Sequence, residues 1–215
     1  MKITLKFGFI ILLCTFSFVS QAQSYTIFAG IGGFAKHSFP NPNANSELNI
    51  LQYQNTTSKT CFLEPGYEFT VGIKFANKFD LLTGINSSIG HLFSSPYYYE
   101  LNFQQINYPL RFRYHFGNQQ THTNFILIGV SWGKILQREL SRDRSTWQHD
   151  YLEDWNDTSP FSLEFGAGKS FFISEKSNLL LNPFLSYELS ENEILKGFYN
   201  PISLVLKLSY ELNLK

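Results

Sequence analysis

Residues 79–93 read FDLLTGINSSIGHLF. Every second residue gives Phe79, Leu81, Thr83, Ile85, Ser87, Ile89, His91 and Phe93, and the set between gives Asp80, Leu82, Gly84, Asn86, Ser88 and Gly90. A period of two belongs to a β-strand whose two faces meet different surroundings. One face here is apolar, and the other is small and polar.

The same split recurs on both sides of this stretch. Toward the C-terminus, Phe161, Leu163, Phe165, Ala167, Phe171 and Ile173 oppose Ser162, Glu164, Gly166, Gly168 and Ser170, with Lys169 the exception on the apolar side. Ile202 to Leu212 alternates Ile, Leu and Tyr with Ser203, Val205, Lys207, Ser209 and Glu211. Toward the N-terminus, Leu63 to Phe75 sets apolar residues against Glu64, Gly66, Glu68, Thr70, Gly72 and Lys74, and Tyr25 to Phe34 repeats the theme with Thr26, Gly30 and Gly32. Leu101 to Phe116 slips by one at Gln104-Gln105, which predicts a β-bulge there. Thr123 to Leu136 and Leu179 to Leu189 complete eight expected strands.

Connection lengths support that count. Lys36 to Ser58 and Gln137 to Ser159 are long, and Ser94 to Tyr98 and Ser190 to Gly197 are intermediate. Ala76 to Lys78, Gly117 to His122 and Ser174 to Ser177 are short. Short turns at one end and longer loops at the other are the habit of outer-membrane barrels. The expectation is an all-β chain, an eight-stranded antiparallel up-and-down transmembrane barrel with both termini periplasmic. Ten strands remain open if the long loops hide hairpins.

The polar face decides which side is the lumen. Glycine weakens a strand, so a merely solvated face has no reason to concentrate it. A narrow barrel interior, by contrast, is filled by side chains and takes small residues beside a few large ones. Charges enclosed there must pair. The expected lumen network is Glu64, Glu68, Lys74, Arg111, Arg113, His115, Glu164, Glu188, Lys207 and Glu211, nearly balanced in sign. Pro65, Pro109 and Pro183 fall inside strands and stand against a barrel with no free edge, because each lacks a ladder donor. Pro109 lies close enough to the expected bulge to use its break in pairing.

The chain has 215 residues, 17% aromatic and only 16% charged, with zero formal net charge. Such a length suits one domain. No basic field exists to attract nucleic acid. Lys2 and Lys6 precede an apolar run from Phe7 to Val19, and Ser20-Gln21-Ala22 offers small residues for cleavage. This predicts a signal peptide over residues 1–22, leaving a barrel domain over 23–215. The run is too short for a transmembrane anchor. Leu13 is too bulky to precede a lipidated Cys14, and cleavage would leave Cys61 with no partner for a disulfide.

Ile106-Asn107-Tyr108-Pro109-Leu110-Arg111-Phe112-Arg113-Tyr114 resembles the strand that marks the PorT-like outer-membrane β-barrel family of Bacteroidota. The glycine-containing strand ending at Gly129 and the Gly166-Ala167-Gly168 strand also resemble it. Asn107 stands where an acidic residue is more usual, and the chain ends in Leu214-Lys215 where such barrels commonly end in an aromatic residue. The resemblance implies a fold and a location. The family's namesake assists a protein secretion system, and no functional residues carry over.

Chemistry is sparse. The stretch Gln137 to Ser159 offers Arg138, Arg142, Arg144, Trp147, His149, Asp150, Tyr151 and Trp155 as a candidate outer-loop surface. Its arginines suit lipopolysaccharide phosphates or a protein partner, although neighbouring acids can pair them instead. Its aromatic residues, with Tyr97-Tyr98-Tyr99, read as an interfacial girdle. His149, Asp150 and Asp154 match no specific metal spacing, so no metal and no cofactor is expected. His91, Ser94, Ser95 and Glu100 are close in sequence, but a nucleophile also needs its base within reach and oriented. The expectation is therefore not an enzyme. It is a barrel in outer-membrane lipid with a filled lumen, acting as a structural, adhesion or secretion-accessory protein through its loops. The alternatives are a lipid-modifying hydrolase, and a soluble periplasmic barrel with reversed faces that binds an apolar ligand.

Overall fold

Alternation over so many stretches leaves each strand with one face to bury, and closing the sheet on itself does so without leaving a sheet edge. The computed structural model describes residues 25–40, 62–75, 78–94, 99–117, 122–142, 159–189 and 199–214. The expected signal peptide, Cys14 and Cys61 lie outside them. The strands are β1 (Tyr25–Pro40), β2 (Phe62–Phe75), β3 (Phe79–Ser94), β4 (Tyr99–Phe116), β5 (His122–Arg142), β6 (Phe161–Ser174), β7 (Ser177–Glu188) and β8 (Tyr199–Asn213). Each pairs antiparallel with its chain neighbours, and β8 pairs with β1, so the sheet is a closed eight-stranded barrel.

Three short connections and both ends of the described chain gather at one rim, the turn end. Lys78 donates its backbone N–H to Phe75 O there (3.0 Å), and Ser174 and Ser177 join their hydroxyls (2.7 Å). Gly117 follows β4 with φ of 99°, a left-handed conformation that glycine adopts without a Cβ clash. The opposite rim is the loop end.

Two strands run further than the alternation suggested. β1 carries the pattern past Phe34 to Pro40, so Lys36 is a strand residue and not the start of a loop. β5 continues through Gln137 to Arg142, paired with β4 from Gln104 to Tyr99. The expected slip at Gln104-Gln105 is present, but the extra residue is on the other strand. Gln105 faces Ile135 and Gln104 faces Gln137, so Leu136 of β5 is the insertion, while β4 keeps one register against β3.

Each in-strand proline sits where a ladder is interrupted. Pro65 pairs with Ala35 on β1, and the β2–β3 ladder begins only at Gly66. Pro109 faces a gap in the β3–β4 ladder between Thr83–Leu110 and Asn86–Asn107, and its carbonyl accepts the Thr83 hydroxyl (2.9 Å). Pro183 faces a gap between Gly166–Phe184 and Lys169–Leu181. The missing donor therefore falls where no ladder partner waits for it. For Pro109, the break it uses is this β3-side gap and not the bulge.

The apolar sets point outward, as Ile31, Phe69, Ile85, Ile128, Phe165 and Leu206 illustrate. Aromatic side chains concentrate toward both rims. Tyr25, Phe75, Phe79 and Tyr114 stand in register across four strands near the turn end, and Tyr108, Trp132 and Phe161 across three nearer the loop end. These strand residues form the described part of the girdle. Of the expected girdle residues, Tyr99 lies on β4 and Tyr97 and Tyr98 lie outside the described residues. Lys169 stays on the outer face, half-buried, with its ammonium 5.4 Å from the Phe171 ring centroid. Its stem can lie along apolar surface while the charge reaches the nearby rim.

Candidate functional site

The lumen is where the sequence placed its charges, and register explains how they fit. A large inward side chain needs an empty space opposite, and glycine on the adjoining strand supplies it. Phe28 lies directly across from Gly72, Phe34 from Gly66, Phe125 from Gly168, Phe184 from Gly166 and Arg111 from Gly129. A Cβ on any of these glycines would collide with the large side chain it faces. These four lumen phenylalanines were not foreseen: Phe28 and Phe34 share the parity of Gly30 and Gly32, but the glycine opposite that makes room for each ring belongs to another strand.

Arg111 centres the larger ion cluster. One terminal nitrogen donates to both carboxylate oxygens of Glu68 (2.6 and 2.7 Å), and the other donates to Glu164 (3.1 Å), which also accepts from Nε. Lys207 donates to Glu68 as well. The guanidinium carbon lies 5.2 Å from the Phe184 ring centroid. Arg111 is 1% exposed, so its charge depends on these carboxylates.

Toward the turn end, Arg113 approaches Asp80 (2.9 Å) and Glu211 (2.8 Å), with its guanidinium carbon 5.3 Å from the Phe28 centroid and 5.5 Å from that of Phe125. β4 and β8 stand on opposite walls of an eight-strand ring, so the Arg113–Glu211 pair crosses the lumen. His115 donates from Nε2 to Asp80 (2.6 Å), and its Nδ1 accepts from the Thr123 hydroxyl (3.2 Å) in the tautomer this requires. Thr, His and Asp thus share the connectivity of a nucleophile, a base and its orienting acid. All three side chains are buried, so no substrate reaches the hydroxyl and the relay reads as lumen packing.

The remaining expected lumen residues occupy separate positions. Glu64 pairs with Lys36 (3.2 Å), Lys74 stands across from Asp80 with its ammonium 6.0 Å from the Phe28 centroid, and half-buried Glu188 sits near the loop end of β7. Asp80 and Lys36 were absent from the expected network. Asp80 was readable, since it shares the parity of Leu82 and Gly84, whereas Lys36 was hidden by ending β1 too early.

Above Arg111 the lumen widens into a polar cup facing the loop end, floored by Arg111, Glu68 and Glu164 and walled in part by Phe34, Phe184 and Val205. Of the expected outer-loop surface, Arg138 and Arg142 belong to β5, across from Phe103 and Tyr99, which corrects their assignment to a loop. Arg144, Trp147, His149, Asp150, Tyr151 and Trp155 lie outside the described residues, as does Asp154. His91 and Ser94 lie on β3 and Glu100 on β4, but register pairs them with Asn102, Tyr99 and Phe93, not with one another. Ser95 lies outside the described residues.

No family model matches the chain, and no curated protein does. Solved structures do. Neisserial surface protein A superposes with a TM-score of 0.50 at 11% identity, over 88% of this chain and 99% of that one. The outer membrane protein OprG from Pseudomonas aeruginosa gives 0.44 at 12% identity, over 87% and 93%. The N-terminal β-barrel domain of Pseudomonas aeruginosa OprF gives 0.43 at 14% identity, over 86% and 96%. The first of these likenesses shows the fold: the chain has the small eight-stranded barrel architecture of an outer-membrane protein.

Proposed function

We propose that this chain is an integral outer-membrane barrel that does not conduct, and that serves a structural, adhesion or secretion-accessory role through its loop end. The observation that carries the reading is the pairing of a continuous apolar exterior with a lumen crossed by ion pairs. An apolar exterior suits hydrocarbon, and a lumen occupied by Arg111, Arg113 and four phenylalanines leaves no aqueous path. In this reading the turn end and both termini face the periplasm.

Lipopolysaccharide phosphates or a protein at the loop end are the partners the arginines of residues 138–144 would suit. The resemblance to PorT-like barrels favours the secretion-accessory role among the three. We assign no enzymatic activity, because His91, Ser94 and Glu100 do not face one another across the β3–β4 ladder. The apolar-ligand alternative needs an apolar interior, and Glu68, Asp80, Arg111 and Lys207 are buried there instead.

Fractionation of the native host tests the location. Recovery in the outer membrane, with an electrophoretic band that shifts on boiling, is the expected result. Recovery in a buffer-soluble periplasmic fraction would overturn it. Planar-bilayer recordings of the refolded protein should show no steady conductance.

A further inference from the structure

The cup above Arg111 has chemistry that the structural reading leaves unused. Five serines line it: Ser203 on β8 is joined to Ser38 (2.9 Å), and the other four come from four different strands, Ser88 on β3, Ser131 on β5, Ser162 on β6 and Ser186 on β7. The hydroxyls of these last four make no hydrogen bond among the described residues, although Ser88 and Ser131 are buried in the wall. On the β3–β4 side, Gln105 donates to Asn107 (2.6 Å), and Asn107 donates to Asn86 (3.0 Å). This chain of amides leaves the Asn86 amide N–H groups and the Gln105 carbonyl without side-chain partners among the described residues. Neutral donors and acceptors therefore make up most of the wall, and its charged members are Lys36, paired with Glu64, and Glu188.

The floor carries charge but little net field. Arg111 is already satisfied by Glu68 and Glu164, and Lys207 balances the second carboxylate. A free anion or cation would have to displace one of these pairs. The empty volume is about 580 Å³, counting the space open to solvent at the mouth. The cavity proper is far smaller, about 50 Å³, and a few polar groups in it can orient a ligand against an apolar wall. Phe34, Phe184 and Val205 form the apolar part here.

We propose that the cup is a binding site for a neutral polyhydroxylated ligand, a monosaccharide unit free or at the end of a glycan. Its hydroxyls are each donor and acceptor and so match serines and amides of unfixed polarity, while its C–H faces match the apolar wall. A charged ligand gains nothing from a floor that is internally neutralised. Apart from Pro160, which precedes β6, the site consists of strand residues, and it stands or falls independently of the loop-end partners proposed above.

The test uses the full mature protein refolded in detergent, with its boiling-dependent band shift as the check of folding. Saturation-transfer NMR is run with methyl α-glucoside, methyl α-mannoside and N-acetylglucosamine as neutral probes, and with inorganic phosphate as the charged one. Saturable binding of at least one neutral sugar is expected, unaltered at about 1 M salt, where charge interactions beyond about 3 Å are screened. The double variant Ser131→Val and Ser162→Val should bind at least about tenfold more weakly, since two hydrogen-bonding groups are lost. Ser88→Val is the second variant if the double one fails to fold. The proposal is overturned if a folded barrel binds none of the three sugars saturably, or if binding is unchanged in the folded variant. It is equally overturned if phosphate alone binds and salt removes it.

Discussion

Gly129 lies directly across the β4–β5 ladder from Arg111, and a Cβ placed on it would come within 2.8 Å of Arg111 Cγ and 2.9 Å of Leu110 O. The backbone oxygen cannot move far, so the arginine stem would have to yield. Gly129→Val should therefore push the guanidinium off Glu68 and Glu164. The expected cost is about 3 kcal/mol, combining overpacking with disrupted buried charge. Urea unfolding of the barrel in lipid vesicles measures it, and an unchanged midpoint would refute this account of the glycine.

Arg111→Ala leaves Glu68 with Lys207 alone and takes from Glu164 its ion-pair partner among the described residues. We expect a loss of about 3–5 kcal/mol, typical of an uncompensated buried charge. The triple change Arg111→Met, Glu68→Gln and Glu164→Gln removes the charges together and should recover most of that loss. If the triple variant is no more stable than the single one, the penalty lies in packing and not in charge.

Ile128 is 51% exposed on the outer face, midway along the part of β5 that pairs with both neighbours. Ile128→Arg should destabilise the barrel in lipid by about 2–4 kcal/mol, as for a cation near the bilayer midplane. On a water-facing surface the same change would be close to neutral. One equilibrium unfolding series in vesicles separates the two cases.

Leu136 is the extra residue of the β5 bulge. Deleting it joins Ile135 to Gln137 and leaves an unbroken register with Gln105 and Gln104, so the boiling-dependent band shift should persist. Deleting Ile128 instead exchanges the faces of all later β5 residues and should abolish that shift. Loss of the shift in the Leu136 deletion would mean that the bulge is required for closure.

Much of the barrel was legible because alternation is local. Phe79 to Phe93 shows its two faces without reference to any other strand. What was not legible depends on which residue stands opposite which. Phe28, Phe34, Phe125 and Phe184 have the parity of the polar face, as Phe28 and Phe34 share it with Gly30 and Gly32, but the room that lets an aromatic ring turn inward shows only when register sets each against a glycine. Asp80 had the right parity, yet nothing along the chain joins it to Arg113 and His115, which lie 33 and 35 residues on. Gln137 to Arg142 resembled a loop because it is charged, and its strand character comes from β4 beside it. The bulge shows the same limit: an offset between two strands appears in the sequence of either one.

Glu68, Arg111, Glu164 and Lys207 come from β2, β4, β6 and β8, so every contact among them skips a strand, and Arg113 reaches Glu211 across the full width of the ring. Ladder bonds join neighbours and can form as the hairpins zip. The Lys207–Glu68 contact, reaching from the last strand over the first to the second, exists only once the seam between β8 and β1 has shut. These spokes arrive late and act as a latch: weakening them should quicken spontaneous opening while leaving the rate of insertion and closure nearly untouched.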